Sequence, residues 1–68
     1  MMAGEIWEAK EATKISPDSP EFKIVIKLIE YLNNDVWECE VIFPKNSAAI
    51  LSITGEVIYN ECVKIGEA

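Results

Sequence analysis

The chain has 68 residues and a mass of 7.6 kDa, which is room for one small domain spanning 1–68. Half of its residues are hydrophobic and 26% are charged, which excludes a disordered tail, a low-complexity linker and a collagen-like chain. Twelve acids against six lysines, with neither arginine nor histidine, give a net charge of −6, which argues against nucleic-acid binding and removes the usual neutral-pH general base and commonest metal ligand.

Gly4 to Lys10 alternates, with Trp7 and Ala9 on one face and Ile6 and Glu8 on the other, and is read as a first strand. Ser16-Pro17-Asp18-Ser19-Pro20 is a loop, because two prolines within five residues interrupt any regular pattern.

Phe22 to Leu32 admits two readings. As a helix over 20–33 it would have Ser19 as N-cap and Pro20 in the first turn, with Lys23, Lys27, Glu30 and Asn34 as a polar stripe. As a strand, Phe22, Ile24, Ile26 and Leu28 alternate with Lys23, Val25 and Lys27, and the β-branched residues favour this form. The next segment decides for the strand. Val36 to Phe43 places Trp37, Cys39, Val41 and Phe43 on one face, and Asn33-Asn34 supplies residues that tolerate the positive φ of a hairpin turn. Pairing across that turn sets Ile24 against Phe43, Ile26 against Val41 and Leu28 against Cys39. On the opposite face it sets Lys27 against Glu40 and Val25 against Ile42.

Pro44 to Ser47 is read as a turn and Ala49 to Ile53 as a fourth strand. Thr54-Gly55-Glu56 opens a short helical turn reaching about Asn60, and Cys62 to Ile65 forms a fifth strand ended by Gly66. The expectation is a mainly β fold, a small five-stranded Src-homology-like barrel with a short helical turn before the last strand. The alternative is an α+β fold with residues 20–33 helical. Curling one sheet on itself would remove its exposed edges.

Gly4-Glu5-Ile6-Trp7, Phe22-Lys23-Ile24, Val36-Trp37, Leu51 to Ile58 and Val63-Lys64-Ile65 together resemble a loose group of tiny uncharacterised bacterial and phage-type proteins with this barrel. The resemblance implies an accessory protein of a phage or mobile element that acts by binding. It transfers no site residue. The proline-rich-peptide groove of true Src-homology domains needs clustered aromatics, whereas Tyr31 and Tyr59 stand apart.

Cys39 and Cys62, 23 residues apart, make no close pair and cannot complete a four-ligand zinc site, so no metal or cofactor is expected. They are read as reduced and packed as small hydrophobes. No segment resembles a signal peptide or a membrane span, and a soluble cytoplasmic protein is expected, in a bacterial host if the chain is phage-derived. Trp7 and Trp37 are assigned to the core, and Glu38 and Glu40 to a solvated face with Glu40 answering Lys27.

No catalytic set can be assembled, so the chain is not expected to be an enzyme. Val25, Ile29 and Ile42 on the outer face of the long hairpin are the candidate interface, for a second copy or for another protein. Alternatively, Glu5, Glu8, Glu11, Asp18 and Glu21 form an acidic surface that would occupy a basic site on a host defence nuclease. A third possibility is an oligomeric trap for a small nucleotide, with a tryptophan stacked on the base.

Overall fold

A computed structural model describes residues 1–45 and 49–67. The elements are β1 (Glu5–Ala9), β2 (Val25–Asn33), β3 (Val36–Phe43), β4 (Ile50–Thr54), α1 (Gly55–Glu61) and β5 (Cys62–Glu67). The five strands form one antiparallel sheet in the order β4-β3-β2-β1-β5. The fold is therefore mainly β with one short helix before the last strand, and the helical alternative for 20–33 is overturned by β2. The run of β-branched residues at 24–29 and a facing strand with matched alternation outweigh the helical stripe. The expected turn over Pro44–Ser47 lies partly outside the described residues.

Within the long hairpin, Ile26 pairs with Val41, Lys27 with Glu40 and Leu28 with Cys39, as the sequence predicts. The flanking register differs. Val25 pairs with Phe43 rather than Ile42, Glu30 with Glu38, and Asn33 with Val36. Each shift inserts one extra residue, as β-bulges do. They move the turn one residue past the expected Asn33-Asn34, onto Asn34 and Asp35. Both of these adopt positive φ, 49° and 63°, the pattern of a tight hairpin turn matched to the strand twist.

The core lies on one sheet face. Trp7, Ile26, Leu28, Trp37, Cys39 and Val41 come from the three central strands and Ile58 from α1, with Ile24, Ile53 and Cys62 packed against them. Residues from β4 and β5, the two edge strands, thus meet one cluster. No β4–β5 ladder is found among the described residues, so the sheet keeps two edges, and α1 runs from the end of one to the start of the other. Thr54 caps α1 by accepting a hydrogen bond from Val57 N at 3.2 Å. The hairpin turn adds a second cap. Asp35 Oδ2 accepts from Glu56 N at 3.0 Å, and the Asp35 carbonyl accepts from Gly55 N at 2.6 Å.

Between β1 and β2 the chain makes a folded arm. Thr13 and Phe22 exchange backbone hydrogen bonds of 2.8 and 2.9 Å. Ser19 Oγ closes the tip, accepting from Ile15 N and Ser16 N and donating to the Ser16 carbonyl. Gly66 lies within β5 and does not end it.

Candidate docking surface

The two sheet faces differ in what they can offer a partner. On the inner face Trp7 and Trp37 are buried, so the expectation that they fill the core holds. Both indoles are packed in the core cluster. Trp37 meets Tyr31 edge to face at 5.2 Å between ring centroids.

Glu5 also belongs to this inner side. It is only 7% exposed, accepts a hydrogen bond of 3.0 Å from Trp7 Nε1, and sits 3.4 Å from Lys64 Nζ. Glu5 is thus not part of an exposed acidic surface, contrary to expectation. The alternation that buries Trp7 carries Glu5 inward with it, and the register of β1 against β5 brings Lys64 beside Trp7. Burial pushes the Glu5 carboxyl upward, but the Trp7 N–H, the Met2 backbone and the Lys64 ammonium prevail and hold it below its ordinary value of 4.5.

A depressed carboxyl pKa contributes stability that is present above the unfolded value and lost as pH falls through the folded one. Urea midpoints measured from about pH 6 to about pH 3 should therefore fall for the wild type on the acid limb. The gap between the wild type and Glu5→Gln should close there. A gap that stays constant over this range would remove Glu5 from the account of acid stability.

The cysteines are no better placed for chemistry than the sequence suggested. Both are free thiols. Burial, with Cys62 and Glu38 nearby, pushes the Cys39 thiol up to about 11, and burial likewise raises Cys62. Among the described residues no group of three or more His, Cys, Asp or Glu side chains is arranged to hold a metal ion. No helix among them is long and apolar enough to cross a membrane.

The outer face carries the candidate interface residues in altered relationship. Ile29 and Ile42 are 38% and 36% exposed, but the Lys27–Glu40 pair lies between their levels on the hairpin, so they do not form one patch. Val25 is half-buried, flanked by Phe43 on β3 and Glu8 on β1. Phe22 from the arm packs edge to face on Phe43, with centroids 6.4 Å apart. The arm therefore covers part of the hairpin face at this end.

The contiguous apolar surface lies one strand further over. Glu40 pairs with Ile50, which sets Ile42 diagonally beside Ile50, and Ile50 is 57% exposed. The sequence reading missed Ile50 and Phe43. The first was assigned no interface role, and the second was placed inward because the bulge at Val25 was not visible.

Beside this patch a groove of about 610 Å³ opens among Glu8, Glu21, Phe22, Lys23, Val25 and Phe43. Two of the five expected acids, Glu8 and Glu21, line it together. Glu11 and Asp18 are exposed on the arm and lie outside the groove lining. No family model, no curated protein and no solved structure matches the chain.

Proposed function

We propose that the protein is a non-catalytic interaction module that self-associates through the outer side of its β3–β4 hairpin. The observation that carries this reading is the exposed apolar surface of Ile42 and Ile50 beside a sheet edge that pairs with no other strand among the described residues. β4 reads Ile50-Leu51-Ser52-Ile53-Thr54, with neither charge nor proline, and Leu51 is exposed despite its inward register. Edge strands of monomers are ordinarily blunted by charge, proline or a covering segment, and the buried side chain of α1, Ile58, packs on the inner side. Two outer faces related by a two-fold axis would set Ile42 and Ile50 of one copy against the same two residues of the other, an isologous seam that buries both. Away from this seam, a net charge of −6 disfavours close approach of two copies.

Size-exclusion chromatography with light scattering at high micromolar concentration tests the reading. The wild type is expected at a multiple of 7.6 kDa, and Ile42→Lys/Ile50→Lys at the single-chain mass with its circular dichroism unchanged. Both positions are solvent-accessible in one copy, so the double lysine should alter its stability by only about 0.5 kcal/mol per site. Buried in an interface, the same unpaired cations prevent association. A wild-type chain that stays at 7.6 kDa at that concentration overturns self-association.

A further inference from the structure

We propose that the groove beside Phe22 and Phe43 is a second, heterotypic site that takes an arginine side chain from an extended segment of a partner protein. The groove, about 610 Å³, lies open to solvent, so it admits a side chain laid along it. Its walls are of two kinds. Phe22 and Phe43 pack on one another at 75°, so a flat group laid in the groove beside them meets aromatic surface without having to part the two rings.

Glu8 from β1 and Glu21 from the arm supply the charge. Both ion pairs among the described residues belong to Lys64, so neither carboxylate is neutralised by a lysine of this chain. A guanidinium satisfies both walls at once. Its plane stacks on a phenyl ring and its fork donates to carboxylates, while its weak hydration lowers the cost of entry. Lys23 lines the same groove and opposes the bound cation, which gives the proposal a signature of its own.

The site differs from the self-association surface in its residues and in its partner. Light scattering reads one and peptide titration the other, so either can fail alone.

The probe is a blocked pentapeptide with arginine at its centre, titrated into isotopically labelled protein and followed by amide shifts. Saturable shifts are expected at Phe22, Val25 and Phe43. Replacing arginine with citrulline, its neutral isostere, should weaken binding at least about tenfold. Glu8→Gln/Glu21→Gln should do the same with its spectrum otherwise unchanged, and Lys23→Gln should tighten binding. Equal binding of the citrulline peptide would leave an apolar groove only and overturn the proposal. Shifts confined to other residues, no saturable shift, or equally strong mapping by spermidine would also overturn it. Indifference to Lys23→Gln would show that charge in the groove does not matter, with the same consequence.

Discussion

Replacing Ile58 with alanine is expected to destabilise the domain by about 2–5 kcal/mol. Ile58 is fully buried, and no other α1 side chain is among the buried hydrophobic residues. It enters a core that Ile53 of β4 and Cys62 of β5 also reach, so one side chain ties both edges of the sheet to the helix between them. α1 has seven residues, too short to persist on its own propensity, and its geometry depends on that anchor and on its caps.

At about 0.05–0.15 kcal/mol per residue a domain of this size has about 3–10 kcal/mol in total, so the loss should appear as a large drop in urea midpoint and a substantial unfolded fraction. Ile58→Val, which removes one methyl group, should cost about 0.5–1.5 kcal/mol. An alanine variant within about 0.5 kcal/mol of the wild type would mean that the helix does not hold the core together.

What the sequence disclosed follows from what each interaction writes into it. Alternation writes directly: Trp7, Ile26, Leu28, Trp37, Cys39 and Val41 all go inward, and Lys27 does meet Glu40. The helix start was legible because Thr54 and Gly55 are local cap chemistry. Bulges leave no such mark. An extra residue at Ile29 or Ile42 is itself apolar and keeps the pattern plausible in either register, so Val25 was paired with Ile42 and the turn was placed one residue early.

Within the arm, 16–20 were read only as a loop and Phe22 as the start of the long hairpin strand, since the Thr13–Phe22 bridge and the Ser19 hydroxyl that closes the tip leave no pattern in the sequence. That is why the groove was invisible: it exists only once Phe22 has been delivered onto Phe43. Glu5 was misplaced for a related reason. A glutamate at the start of a strand reads as surface, and only its partners Trp7 and Lys64, two and fifty-nine residues away in sequence, make its burial tolerable.

The turn residue Asp35 and the helix residue Gly55 form a second tie between distant parts of the chain, and Gly55→Ala should break it. Gly55 is buried at the first turn of α1, and its N–H donates to the Asp35 carbonyl. A Cβ there would overlap Asp35 Oδ1 and lie 3.2 Å from Asp35 Cγ. The carboxylate has little freedom to yield, because Oδ2 is engaged by Glu56 N and the Asp35 N–H donates to Tyr31 Oη at 3.0 Å. Alanine is ordinarily the better helix residue by about 1 kcal/mol. Here the clash and the lost cap reverse the sign, and a net destabilisation of about 1–3 kcal/mol is expected. Asp35→Ala alone should cost about 1–2 kcal/mol through the orphaned N–H of Glu56. The double variant then decides the cause. With the carboxylate gone, alanine at 55 has nothing to strike, so the two losses should be clearly less than additive. Additive losses in urea unfolding would mean that the Gly55 effect arises elsewhere than at Asp35.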